Sequence, residues 1–276
     1  MTHKKNILST VLFHAFAIFL ALVTVIPFLW MVSTSLKGSG ALMAIPIEWI
    51  PKKPTFASYE KLFSLDGFIQ SIFNSSFVTV MSVIVALVSS SMAAFAFSKI
   101  HFKGSGILFM VFLASMMLPS QVIFIPLYLI MNEIHLIDTL WALIIPFTFR
   151  AFAVFMLRQQ MMNISDTYLD AAAIDGASLF RSFWQIFIPL CNTSLVTLAI
   201  ILCMDAWNDY LMPLVLLTSS KHYTLPILLN SLSGQFKSQY NLLMAGALVS
   251  VLPLLVVYIC AQKYYRTGLQ VGGIKG

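Results

Sequence analysis

Asp205, Asn208 and Asp209 stand at i, i+3 and i+4 with Trp207 beside them, a spacing that on a helix puts two carboxylates and an amide on one face. Carboxylates and amides exchange hydrogen bonds with hydroxyls, and an indole face stacks on a sugar ring, so this group has the chemistry of a carbohydrate path. All four residues sit in an apolar run, where an ionisable side chain is costly unless it faces a cavity or a partner. Arg150, the one charge of another apolar run, is a candidate partner. Helix capping or pairing with Arg150 therefore stands as an alternative for Asp205 and Asp209, and plain packing for Trp207.

A second patch is Asp170-Ala171-Ala172-Ala173-Ile174-Asp175-Gly176, followed after nine intervening residues by Ile186-Phe187-Ile188-Pro189. Three alanines between two acids make a helix with almost no side-chain bulk, which another protein's cleft can approach closely. Ser165 or Asp166 can cap a helix over 167–174, Gly176 can end it, and Ser178 can cap a second one. Phe180, Phe183, Trp184 and Phe187 then follow at helical spacing, an apolar stripe for a membrane surface or a neighbouring helix. Periodicity alone favours a simple amphipathic connector.

No residue set supports independent catalysis. The sequence has no Gly-x-x-x-x-Gly-Lys-Ser/Thr phosphate loop, so the chain cannot hold ATP in that manner. The five histidines are dispersed without zinc spacing, and Cys191, Cys203 and Cys260 lie in or beside apolar runs. Neither a cofactor nor a metal site is expected.

The elements that must position these patches are membrane spans. With 59% hydrophobic and 9% charged residues and a mean hydropathy of +0.91, 276 residues carry too little polar surface for a water-soluble globule. Six apolar stretches are long enough to cross a bilayer, at about 7–35, 69–98, 104–132, 139–157, 187–217 and 238–262. Prolines at 27, 119, 126, 146 and 253 mark kinks within them. Lys4 and Lys5 precede the first stretch as in a signal peptide, but its length predicts an uncleaved anchor. The net charge of +6 does not imply nucleic-acid binding, because the basic residues are scattered over the ends of apolar runs. Nine of them fall on one side and six on the other, which predicts cytoplasmic N- and C-termini and puts residues 158–187 in the cytoplasm.

The order of Asp170, Ala171, Ala172, Gly176, Ile186 and Pro189 resembles the cytoplasmic signature loop of the membrane subunits of ATP-driven, binding-protein-dependent importers. The resemblance extends over nearly the whole chain, to the carbohydrate-type permease subunits of bacterial ABC importers. It is carried by Asn74-Ser75, Leu157-Arg158-Gln159, the run from Ala206 to Leu214, Tyr223-Thr224-Leu225-Pro226, the run from Leu243 to Ala247, and Gly273-Ile274-Lys275-Gly276. Asp170 stands where the family usually has glutamate, Ile188 where leucine is usual, and Arg150 where a small residue is common. A second proline often found shortly after Pro189 is absent, which predicts a softer bend into the fifth span.

The resemblance implies an all-α integral membrane protein of six helices with the type I importer permease fold, a single domain over residues 1–276. It implies a second homologous permease, two ATPase subunits that use the ATP, an extracytoplasmic binding protein, and a sugar or polyol as cargo. Asp170 to Gly176, with Ile186 and Pro189, would dock the ATPase. Arg150, Asp205, Trp207, Asn208 and Asp209 would line the path, and Ile274 and Lys275 would reach the ATPase pair. An ion-coupled carrier using Asp205, Asp209 and Arg150 is the alternative from another class, although no internal repeat supports it.

Overall fold

The computed structural model describes residues 7–38, 48–235 and 239–271, and every regular element among them is helical. Four helices are long and apolar enough to cross a membrane: Thr10–Ser35, Phe68–Lys99, Trp141–Met162 and Tyr240–Gln262. Two bent pairs raise the number to six when each counts as one span.

The described residues form two compact units, one within 1–68 and 229–252, the other within 69–228 and 253–276. In the first, α1 (Ile7–Ser35) leaves Phe13, Phe16, Phe19 and Leu29 exposed along its length. Its far end is fastened by polar contacts. The Lys37 ammonium lies 4.1 Å from the centre of the Trp30 ring and donates to the Glu48 carbonyl. Asn241 donates to the Lys37 carbonyl at 3.2 Å and to the Ser58 hydroxyl of α2 (Ala57–Ser64) at 2.9 Å. Leu62 and Ala245 are fully buried there.

The second unit starts on α3 (Phe68–Lys99), 32 residues without a proline or glycine. The stretch read as a third span kinked at its prolines is α4 (Ser105–Ala114) with a short 3-10 turn, then α5 (Ser120–Glu133), bent by 106°. Leu118 is extended ahead of Pro119, whose ring disfavours a helical residue before it and whose nitrogen donates nothing. The fourth span is α6 (Trp141–Phe147) followed by α7 (Ala151–Met162), with Arg150 extended between them. The Ser89 hydroxyl donates to the Thr148 carbonyl at 2.6 Å, which the interrupted ladder leaves open.

α8 (Thr167–Ile174), α9 (Leu179–Ser182), a wider π turn over Phe183–Phe187 and α10 (Ile188–Leu190) lead into α11 (Asn192–Trp207). Pro189 has no donor for the carbonyl four residues back, and the wider turn takes up that defect. The chain then turns by 79° between Leu190 and Asn192.

The fifth span also stops earlier than expected. α11 ends at Trp207, and α12 (Leu211–Leu216) starts afresh after Asn208–Tyr210. Pro213 explains the interruption, because in a continuous helix its ring would collide with the Asp209 carbonyl. Beyond it, α13 (Leu225–Gln235) occupies the stretch left between the fifth and sixth predicted spans, and α14 (Tyr240–Val271) runs past the predicted end of the sixth.

Candidate functional site

The polar group of the fifth span is built by a helix break and not by a helix face. Asp205 lies in the last turn of α11, and its Oδ2 is 3.2 Å from Nη1 of Arg150 at the interruption between α6 and α7. The guanidinium also lies over the Phe147 ring, 3.6 Å from its centre. Asn208 and Asp209 are committed to backbone. The Asn208 amide donates to the Met204 carbonyl at 2.8 Å, and Asp209 Oδ1 accepts from the Met212 amide at 3.2 Å, starting α12. The capping and pairing alternatives thus describe what Asp209 and Asp205 do in this chain.

These residues line an open cavity of 660 Å³ together with Phe124, Met204 and Tyr210. Trp207 does not line it. At 4% exposure its indole is part of the packed interior, as the packing alternative has it, and the aromatics of the cavity are Phe124 and Tyr210. Sequence spacing missed both, since neither shares a helical face with Asp205. The signal that could have found Tyr210 is Pro213, which forces the break.

The second patch forms as its caps predict. α8 covers Thr167–Ile174, Ser165 Oγ accepts from the Thr167 amide at 3.3 Å, and Gly176 takes φ +75° beyond its end. The Gly176 and Ala177 amides return to the Ala173 and Ala172 carbonyls at 3.0 and 2.9 Å. Ser178 accepts from the Arg181 amide at 3.2 Å and opens α9.

Ala172 is the buried side chain of α8, whereas Asp170, Ala171, Ala173, Asp175 and Gly176 are exposed and Ile174 is 86% exposed. Ile186 is half-buried and Pro189 exposed. The aromatic stripe divides: Phe183 and Phe187 pack on Phe95 at ring-centre distances of 5.3 and 5.1 Å, while Phe180 and Trp184 remain exposed. Asp166 does not cap α8. Its carboxylate meets the Lys99 ammonium at 2.5 Å, and that hydrogen bond and charge hold it below the usual carboxylate range.

Two other sequence blocks meet. Asn74 donates to the Lys221 and Tyr223 carbonyls at 3.0 Å each, and Ser75 accepts from the Leu225 amide at 2.7 Å, so Asn74-Ser75 holds the segment Tyr223 to Pro226. Nearby, Asp138 accepts from the Thr218 and Ser219 amides at 3.0 and 2.8 Å and from the Ser219 hydroxyl. Burial opposes its charge, but these donors and His222 outweigh that and hold the carboxyl well below its ordinary value. Ile274 and Lys275 lie outside the described residues. No group of His, Cys, Asp and Glu among the described residues is placed to hold a metal ion.

The family described as binding-protein-dependent transport system inner membrane component matches residues 86–270, a range that includes α8 and both polar breaks. The chain belongs to this family. The permease is 34% identical over 273 residues to the arabinooligosaccharides transport system permease protein AraQ of Halalkalibacterium halodurans, covering 98% of each chain. It is 30% identical over 280 residues to the inner membrane ABC transporter permease protein YcjP of Escherichia coli, covering all of both. A solved bacterial ABC transporter involved in the import of the acidic polysaccharide alginate shares its fold, with a TM-score of 0.84 at 24% identity over 96% of this chain and 99% of that one. The permease is thus an all-α, multi-pass component of the inner membrane, and membership replaces the ion-coupled carrier alternative.

Proposed function

We propose that the permease works as one membrane domain forming half of the pathway of an ATP-driven importer for a sugar or related polyol. A second homologous permease supplies the other half, two ATPase subunits bind on the cytoplasmic side, and an extracytoplasmic binding protein delivers the cargo. Both termini are cytoplasmic, as is the coupling segment 158–187. The observation that carries this reading is α8, capped at both ends, whose Ala171 and Ala173 are exposed beside a projecting Ile174. Closure of the ATPase pair moves α8 and, through it, the spans between inward-facing and outward-facing states.

The cavity at the helix breaks supports a hydroxyl-rich cargo. Arg150, Asp205, Asn208 and Asp209 present donors and acceptors beside the faces of Phe124 and Tyr210. The AraQ relative, named for arabinooligosaccharides, points the same way. The tail carrying Ile274 and Lys275 reaches the ATPase pair, so deletion of residues 272–276 lowers cargo-stimulated ATP hydrolysis and leaves the permease pair assembled.

The test is reconstitution in vesicles with the two ATPases, the partner permease and the binding protein. Saccharide uptake should require both ATP and the binding protein. Uptake driven by an ion gradient in their absence sinks the reading.

A further inference from the structure

Of the three described helices longer than twenty residues, α1 and α14 each contain a proline, and α3 contains neither proline nor glycine. Prolines, and glycine and serine pairs, are where long helices bend; α3 has serine runs but no proline or glycine, and it runs unbroken over 32 residues, so it moves as one piece. Both of its ends are pinned to segments already described. From Asn74 to Lys99 the helix rises about 37 Å, more than the thickness of a hydrocarbon core.

At one end Lys99 closes the last turn, where the unpaired carbonyls favour a cation. Its side chain is 3% exposed. The ammonium donates to the Ile164 carbonyl at 2.6 Å and to Asp166 Oδ1 at 2.5 Å, and lies 5.5 Å from the centre of the Phe187 ring. Ile164 and Asp166 are the residues that lead into α8. A second cation reinforces the site: Arg158 of α7 donates to the Phe97 carbonyl at 3.1 Å while stacking over Phe109 at 4.2 Å. At the other end of α3, Asn74 and Ser75 hold the stretch from Lys221 to Leu225. Ala172 and the half-buried Leu169 pack α8 on the core, and the Lys99 contacts fasten its leading end to α3.

We propose that Lys99 is a positioning residue that carries the displacement of α8 into α3, and that α3 passes it as a rod to the 221–225 segment at its far end. The proposal rests on α8 being the ATPase contact. A buried ammonium is suited to this work because it grips two points of the loop at once, while Asp166, 66% exposed, keeps the outer side of the grip solvated.

The experiment uses the reconstituted importer and compares Lys99→Met, Lys99→Arg, Asp166→Ala and Gly176→Trp. Two quantities are read: cargo imported per ATP hydrolysed, and the ATP-dependent change in hydrogen exchange of residues 219–226. Lys99→Met is expected to assemble and hydrolyse ATP, to lose about tenfold in cargo per ATP, and to lose the exchange response at the far end of α3. Lys99→Arg should restore part of both. Asp166→Ala, which alters an exposed side chain, should fall between and decides the matter if Lys99→Met fails to accumulate. Wild-type coupling and wild-type exchange response in the Lys99 and Asp166 variants overturn the proposal. Gly176→Trp then separates the causes: if it uncouples, α8 remains the contact and only the pin is wrong, whereas if it too is normal, the contact itself is misplaced.

Discussion

Arg150 and Asp205 meet at 3.2 Å with 35% and 56% of their side chains exposed, and a pair that open contributes on the order of 1 kcal/mol or less to stability. Arg150→Gln should therefore reach the membrane at nearly wild-type abundance and lower uptake about tenfold, the equivalent of about 1.4 kcal/mol. Abundance falling in step with uptake would make the pair structural. Gly176 permits a sharper separation. A Cβ there meets nothing within 4 Å in this chain, so only the left-handed backbone, or a docked partner, can resist a side chain. Gly176→Asn should retain uptake, because asparagine tolerates that region, while Gly176→Val should lose it at a conformational cost of about 1–2 kcal/mol. Loss in both variants would mean that a partner approaches the position closely. The glycine, the alanines and Ser178 were legible because capping and turn chemistry are local. The place of Phe124 on the cavity was not, because it depends on residues far away in the sequence.

Helix ends set by caps were readable from sequence, and bends set by prolines only in part. The 167–174 helix was read from Ser165, Asp166 and Gly176, and the structure agrees residue for residue. Pro119 announces a kink, yet nothing in its neighbours specifies 106°. The partners of Asn74 were likewise out of reach, since its two carbonyl acceptors lie well over a hundred residues away. That tie is worth testing. Asn74 is 3% exposed and also accepts from Gln70 at 2.9 Å. Asn74→Ala should cost about 2 kcal/mol in thermal unfolding of the detergent-solubilised protein, and Asn74→Asp more, because a carboxylate cannot donate to the carbonyls of Lys221 and Tyr223. An unchanged midpoint would show that the 221–225 segment is held by other means.

Asp138 gives a pH signature at the same scale. Its folded value is depressed, so the stability it contributes is complete above its ordinary value of 3.8 and fades as the pH falls from there towards the folded value. Asp138→Asn should thus be less stable than wild type at neutral pH, with the gap closing only in strong acid. A gap that closes near neutrality would show that the stability difference does not come from the Asp138 carboxylate.

For the whole molecule, composition and run length were enough to give an all-helical membrane chain with six apolar segments, because the bilayer fixes segment length so tightly. They could not show that two of the six are bent pairs, since hydropathy is blind to direction. Arg150 has a further consequence, for biogenesis. Trp141–Met162, which carries it near the middle, is the least apolar of the four segments that each suffice as a single span. An arginine at that depth costs about 2.5–3.5 kcal/mol on translocon insertion scales. Its counter-charge, Asp205, is synthesised only after α8, α9 and most of α11 have emerged. The segment should therefore wait at the translocon and settle into the bilayer late. Chains truncated at Leu190 ought to show partial protection of single cysteines placed at the ends of this segment, and chains extended past Asp209 full protection, so the ion pair that lines the cavity in the finished protein also sets the order in which its spans are laid down.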